Sequence, residues 1–183
     1  LFAGIDRIII LACGTAAYAG QVGKYALEQW TRIPVDVELA HEFRYRDPVV
    51  SEKNLVVAVS QSGETMDTIM AIRHARNQGA KVIAITESQS PLARRADLAL
   101  IVDHVEDSAT QVPMISRILH LLMVDILVVG VTLQRRSALT ALGSELALDM
   151  DESVPGAAHS GARRKAPGVS VAGALAHLTP QGR

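Results

Sequence analysis

Short aliphatic runs alternate with longer helix-forming stretches along residues 7–133, and this alternation is the strongest constraint on the fold. Runs rich in Ile, Val and Leu, typical of strands buried on both faces, occupy residues 7–11, 55–59, 81–85 and 98–102. A weaker strand is predicted at residues 35–38, and helices are predicted at residues 15–30, 65–78 and 112–133. Strands that alternate with helices over short connections pair in parallel with right-handed crossovers. The sequence therefore predicts an α/β protein, a three-layer α/β/α sandwich around a doubly wound parallel sheet.

The character of the sequence changes after about residue 136. Residues 149–156 have no hydrophobic period, and residues 161–168 form a basic stretch that contains Gly and Pro. We therefore predict one domain over residues 1–136 and a largely disordered tail over residues 137–183. Within the domain, residues 43–48 are predicted to be a connecting segment, and Pro91 is predicted to open a short helical turn capped by Ser90.

Charge and composition argue against several classes of function. The chain carries a formal net charge of −1 and only 3% aromatic residues, unlike domains that bind nucleic acid by neutralising its phosphates. Its single cysteine, Cys13, cannot form an internal disulfide and fits a reducing cytoplasm. The first residues lack the basic segment of a secretory signal, and charged residues interrupt the longest apolar stretch. We expect a cytoplasmic protein that binds neither nucleic acid nor membrane.

A polar turn follows the clearest strand and contains Ser60, Gln61, Ser62 and Thr65. Ligands of open parallel sheets bind just beyond the carboxyl ends of the strands. The helix that begins there offers unpaired N–H groups and the positive end of its dipole, and Gly63 allows close backbone approach. Alternatively, Ser62 or Thr65 is simply a helix cap. A cap needs only one hydroxyl, whereas this turn contains three hydroxyls and an amide. The excess of polar groups predicts a phosphate-binding loop.

A second glycine turn follows the first strand, where Gly14 and Thr15 precede the Ala-rich helix. In a doubly wound sheet this turn faces the same crevice, so Gly14 and Thr15 are predicted to line the sugar side of the site. A plain capped turn is an equal alternative for these two residues. Cys13 is interpreted as a small buried residue rather than a nucleophile, because no histidine lies near it in sequence.

Other polar residues carry weaker signals. The acidic cluster at residues 103–107 does not match the spacing of a metal site, so neither a metal nor a cofactor is expected. The isolated histidines His41, His74 and His120 are predicted to be surface or packing residues. A structural role and a contact to an anion or partner subunit remain equal alternatives for Arg44, Tyr45 and Arg46. The helix predicted at residues 112–133 is apolar all round, which predicts a homodimer or larger assembly.

Three motifs carry a family resemblance: Cys13-Gly14-Thr15, then Glu42-Phe43-Arg44-Tyr45-Arg46, then Ser60-Gln61-Ser62-Gly63-Glu64-Thr65. In this order and spacing they resemble the isomerase part of the glutamine–fructose-6-phosphate aminotransferase family, which has the flavodoxin-like sugar isomerase (SIS) fold. The resemblance covers about residues 1–85. It implies binding of a hexose phosphate such as fructose 6-phosphate or glucosamine 6-phosphate.

The resemblance also implies roles for individual residues. The phosphate contacts of that family carry over to Ser60, Gln61, Ser62 and Thr65, and its sugar contacts carry over to Gly14 and Thr15. The family usually has a further hydroxyl after this Thr, whereas Ala16 or its neighbour Ala17 stands here, which implies one polar contact fewer. The isomerising acid and base groups of that family come from parts outside the resemblance.

Residues 86–136 resemble a different branch, the SIS domain of RpiR/HexR-type regulators, through Ser90-Pro91-Leu92-Ala93, Glu106-Asp107 and Pro113-Met114-Ile115-Ser116-Arg117. Three hypotheses follow: part of an aminotransferase or isomerase acting on sugar phosphates, a ligand-sensing domain of a regulator, or a stand-alone sugar-phosphate isomerase. Moving a proton between neighbouring carbons needs a base, and no motif marks one. His104 and Glu106 are the nearest residues by position, and catalytic residues stay unassigned.

Overall fold

Five parallel strands form one sheet in the order β2-β1-β3-β4-β5 in a computed structural model, which describes residues 4–104 and 115–152. The elements are β1 Arg7–Ala12, α1 Thr15–Thr31, β2 Val35–Leu39, α2 Ala40–Arg46, β3 Asn54–Val59, α3 Met66–Asn77, β4 Lys81–Thr86, a 3-10 turn Ala93–Arg95, β5 Leu98–Ile101 and α4 Ile115–Glu152. This strand order is that of the flavodoxin-like doubly wound fold, so the predicted fold class is confirmed.

Alternate residues of the central strands face two separate cores. On one face Ile8, Val57 and Ile83 pack with residues of α1 and α4, such as Leu27 and Val128. On the other face the intervening residues pack with α2 and α3, through side chains that include Phe43 and Ile72. All six residues of β3 are buried, because this strand lies mid-sheet with a helical layer on each side. The three predicted layers are therefore present.

The segment after β2 differs from the prediction. Residues 43–48 are predicted to connect elements, but Ala40–Arg46 form the short helix α2. Ala40 and Phe43, three positions apart, are its two buried residues and pack against the sheet. A seven-residue helix with one buried turn gives no period that a sequence reading can detect. Tertiary burial of Phe43 thus decides the conformation of this segment.

Helix α4 is longer than predicted, because it runs from Ile115 to Glu152 rather than ending near residue 133. Helical structure therefore extends past residue 136, into the segment predicted as tail. The domain boundary at that residue stays a prediction, and residues 153–183 lie outside the described residues. A short 3-10 turn follows Pro91 as predicted, but its N-cap residue is Leu92 rather than Ser90; the Ser90 hydroxyl accepts the N–H of Ala93 at 3.1 Å.

Two apolar stripes run along α4. One is buried against the sheet and contains Val124, Leu127, Val128 and Val131. The other is solvent-exposed, and its members recur every three or four residues: Ile115, Ile118, Leu122, Ile126, Val129 and Leu133. By length and composition alone, Ile115–Ser137 could cross a membrane. A mostly buried core helix of a globular domain passes the same test; in α4, 33% of the apolar window is buried, and this part packs in the core on one face of the sheet.

Candidate functional site

The order of the strands reverses next to β1, because β2 lies on one side of β1 while β3, β4 and β5 follow on the other. In doubly wound sheets this point leaves a crevice between the loops that leave the two adjacent strands. The loops here are the turn after β1, which contains Gly14, and residues 60–65 after β3, called below the phosphate loop. The topology therefore brings the two sequence-predicted loops together.

A cleft of about 310 Å³ opens at this point. Its lining includes all six sequence-predicted site residues, Gly14, Thr15, Ser60, Gln61, Ser62 and Thr65. The remaining lining residues are Cys13, Ala16, Val59, Thr68, Ser116 and His120. Hydroxyls and one amide thus surround a single space of the size of a small-ligand pocket.

The hydroxyls of the phosphate loop are not used as helix caps. Thr65 is the N-cap residue of α3, but its side chain makes no capping hydrogen bond. Its Oγ1 instead lies 3.4 Å from the Oγ of Ser60, which is only 6% exposed at the end of β3. The Ser62 hydroxyl accepts the N–H of Glu64 at 3.3 Å, within the loop itself. The capping alternative therefore does not account for these residues, and the N-terminus of α3 has no side-chain cap, which leaves a helix end of the kind at which anions can bind.

The end of β4 and the segment after it, together residues 85–92, hold the phosphate loop in place. Gly63 has φ of 60°, and a Cβ there would lie 2.4 Å from both the Ser90 Oγ and the Thr86 Oγ1. From the sequence, Gly63 is expected to let a ligand come close to the backbone. In the structure it is the side chains of Thr86 and Ser90 that come close to Gly63. Four hydrogen bonds join the two segments: Ser60 N–H to Ile85 O at 3.1 Å, Glu87 N–H to Gln61 O at 3.0 Å, Leu92 N–H to Gly63 O at 3.1 Å, and Thr86 Oγ1 to Gln61 O at 3.3 Å.

The turn after β1 depends on a glycine for a different reason. Gly14 has φ of 58° and ψ of −134°, a region that side chains disfavour, although nothing lies within 4 Å of the place that a Cβ would occupy. Gly14 is the N-cap of α1, and no side chain caps this helix end. The plain capped turn is therefore not what the structure shows. Thr15 and the half-buried Cys13 line the cleft, and the Cys13 Sγ lies 3.9 Å from the Thr68 Oγ1 of α3.

Helix α4 adds two residues that sequence reasoning missed. Ser116 and His120 lie four positions apart, on one face of the helix, and both line the cleft. Both are buried, with 2% and 4% exposure. The sequence predicts surface or packing roles for His120, His41 and His74. In the structure His41 is exposed, and the half-buried His74 forms a hydrogen bond with the Pro48 carbonyl at 3.3 Å. The signal in the sequence is a polar pair with i, i+4 spacing within the longest apolar stretch of the chain.

Two candidate arginines of α2 form ion pairs with neighbouring elements. Arg44 of α2 pairs with Asp67 of α3 at 2.9 Å, and Arg46 pairs with Glu38 of β2. These contacts support the structural alternative for both arginines. Among the described residues that line the cleft there is no Asp, Glu, Lys or Arg. The described part of the chain also contains no cluster of three potential metal ligands. His104 does not line this cleft, and Glu106 lies outside the described residues.

Comparison with known families agrees with this geometry. The SIS domain family matches residues 1–130. The chain belongs to the SIS domain family. Its SIS domain is 70% identical, over 97 residues, to a glutamine–fructose-6-phosphate aminotransferase of Corynebacterium efficiens. That match covers 52% of this chain and 16% of the relative, so the chain spans only a small part of the length of such relatives. The resemblance to the aminotransferase family is confirmed.

Solved structures show the same relation. The C-terminal domain of the glucosamine–fructose-6-phosphate aminotransferase from Francisella tularensis is 33% identical, with a TM-score of 0.68 over 74% of this chain and 38% of that one. Glucosamine-6-phosphate deaminase from Thermotoga maritima, 24% identical with a TM-score of 0.62 over 69% of this chain and 40% of that one, shows the shared fold alone. The resemblance of residues 86–136 to regulator SIS domains stays a prediction.

Proposed function

We propose that this SIS domain binds a hexose phosphate, such as fructose 6-phosphate or glucosamine 6-phosphate, in the cleft between the two loops. The phosphate group lies in the phosphate loop, against Ser60, Gln61, Ser62 and Thr65, and the sugar lies against Gly14 and Thr15. The observation that carries this proposal is that one cleft contains all six residues at the topological switch point.

The chemistry of the lining supports a phosphate ester as the ligand. A dianionic phosphate accepts hydrogen bonds from the hydroxyls, the Gln61 amide and the first N–H groups of α3, and the dipole of α3 favours its charge. Because no Lys or Arg is among the described lining residues, the phosphate meets hydrogen-bond donors rather than a strong ion pair. Such a site suits a metabolite that is bound and released.

The relatives suggest the context in which this binding serves. The curated relatives are named isomerizing glutamine–fructose-6-phosphate aminotransferases, and the solved neighbour from Francisella tularensis is the C-terminal domain of such an enzyme. We propose that the chain is a sugar-phosphate-binding part of a cytoplasmic aminotransferase or isomerase. No carboxylate lines the cleft within the described residues, so a catalytic base for the isomerisation is not assigned.

A crystal structure of the domain soaked with fructose 6-phosphate tests the proposal. We expect the phosphate within hydrogen-bonding distance of the hydroxyls of Ser62 and Thr65, and the sugar beside Thr15. A phosphate bound elsewhere, with this cleft empty at saturating ligand, would show that the phosphate loop is only a structural turn. Soaking with fructose at the same concentration is the control for binding of the sugar alone.

We also propose that the domain self-associates through the exposed stripe of α4. Large apolar side chains recurring every three or four residues on a surface helix are typical of a helix-packing face. Light scattering at micromolar concentration is expected to give at least twice the monomer mass. Leu122→Glu with Ile126→Glu should give a monomer, while Val49→Glu, an exposed control between α2 and β3, should leave the mass unchanged. A monomeric parent would refute this proposal.

A further inference from the structure

Among the described residues that line the cleft, His120 is the only possible source of positive charge. A site for a doubly charged ester is lined by hydroxyls, an amide and small side chains, with no Lys or Arg among the described lining residues. His120 is the one described lining residue whose side chain can become a cation near neutral pH. Any pH-dependent positive charge within the described lining therefore comes from this imidazole.

The position of His120 makes it a built part of the site rather than a surface group. It is 4% exposed on the buried face of α4, one turn after Ser116, which also lines the cleft. Because the cleft measures only about 310 Å³, a ligand held by the phosphate loop also lies against α4. Charges interact more strongly in such a confined, partly desolvated space than they do in water.

We propose that His120, in its protonated form, is the cation that the bound ester faces, so that the imidazole contributes more to the affinity for sugar phosphates as the pH falls. This inference rests on the proposed function, because it assumes that the cleft holds an anionic ester. It assigns His120 as a binding residue that sets the pH dependence of affinity, and it assigns no catalytic step to this residue.

Among the residues that the structure describes, no other titratable group near His120 supplies a pH-dependent positive charge to the cleft. Cys13 is the only other titratable side chain of the described lining, and a thiol cannot become a cation. Glu64 in the phosphate loop is exposed, and Asp67 on α3 is paired with Arg44 at 2.9 Å; neither lines the cleft. Arg117, three positions before His120 on α4, is exposed and does not line the cleft. Among these described groups, His120 is the one whose side chain can become a cation between about pH 5.5 and 8.

Calorimetric titrations of fructose 6-phosphate at pH 5.5 and pH 8 test the inference, with the parent, His120→Gln and His41→Gln. The change in charge of the ester with pH is the same for all three proteins. The ratio of the variant and parent dissociation constants at each pH therefore measures the contribution of the imidazole alone. We expect His120→Gln to bind roughly tenfold more weakly than the parent at pH 5.5 and within about twofold of it at pH 8, since one charge-assisted hydrogen bond is worth about a factor of ten or more. The exposed His41 is the matched control, and its variant should follow the parent.

A second measurement on the unaltered protein covers the case in which the buried substitution disturbs folding. In an NMR pH titration, saturating fructose 6-phosphate should raise the pKa of His120 by about one unit, the linked counterpart of a tenfold gain in affinity. An unchanged pKa, or a parent-to-variant ratio that is the same at both pH values, would overturn the inference while leaving the proposed function intact. A parent that binds no fructose 6-phosphate at either pH would overturn both.

Discussion

Replacing Gly63 by Ala is expected to lower both the stability of the domain and its affinity for a sugar phosphate. The new Cβ would lie 2.4 Å from the hydroxyl oxygens of Thr86 and Ser90, two side chains that are themselves buried. Overpacking of this kind costs about 1–3 kcal/mol, and a left-handed φ costs a non-glycine residue about 1–2 kcal/mol more. We expect the free energy of unfolding to fall by roughly 2–5 kcal/mol in a chemical denaturation experiment.

Binding should weaken as well, because the phosphate loop must move away from the segment after β4 to relieve the contact. We expect a loss of at least about tenfold in affinity for fructose 6-phosphate, equivalent to one misplaced hydrogen bond of about 1.5–3 kcal/mol to a charged group. Gly79→Ala is the matched control. Gly79 has φ of 92°, but a Cβ there would meet Glu52 at an ordinary 3.4 Å. The Gly79→Ala variant should lose only the stability that corresponds to the left-handed φ, and its affinity for fructose 6-phosphate should be unchanged. Equal losses in the two variants would contradict the claim that Thr86 and Ser90 leave no room for a side chain at Gly63.

Removing the hydroxyls of the phosphate loop should weaken binding with little effect on the fold. We expect Ser62→Ala and Thr65→Ala each to lower the affinity for fructose 6-phosphate by roughly tenfold to a hundredfold, since each hydrogen bond to the charged phosphate is worth about 1.5–3 kcal/mol. The free energy of unfolding should change by less than about 1–2 kcal/mol, the range for loss of a helix cap. The Thr65 side chain makes no capping bond, so its variant should lie near the lower end.

A control for these variants is Ser88→Ala, which removes an exposed hydroxyl that does not line the cleft. Its affinity should equal that of the parent. Thr65→Val adds a second comparison, because it keeps the branched shape of the side chain and removes only the hydroxyl. If Ser62→Ala and Thr65→Ala both bind like Ser88→Ala, the hydroxyls do not contact the ligand.

Much of the fold was predictable from sequence because burial on both sides of a parallel sheet leaves a plain signal. The continuous aliphatic run of β3 is buried at every position, and its neighbours β1 and β4 are nearly so. Helix α2 was missed because a single buried turn around Phe43 has no period of its own. The length of α4 was missed because the loss of a clear apolar pattern beyond residue 133 does not end a helix made of good helix formers.

The site residues that lie directly after strands were predictable from the sequence. The two loops each come directly after a strand, and parallel pairing of β1 with β3 is enough to bring them together. Ser116 and His120 could not be placed from sequence, because their position depends on how α4 packs across the sheet. The role of Gly63 was likewise hidden, since Thr86 and Ser90 meet it through the strand order rather than through spacing along the chain.

The central claim is that the phosphate group of the ligand is recognised by the phosphate loop, and one calorimetric comparison tests it most directly. Fructose 6-phosphate and fructose are titrated into the parent domain under identical conditions. The phosphate should supply most of the affinity, so fructose should bind at least about a hundredfold more weakly, the effect of losing two hydrogen bonds of at least about 1.5 kcal/mol each. Equal affinities for the two sugars would contradict the account.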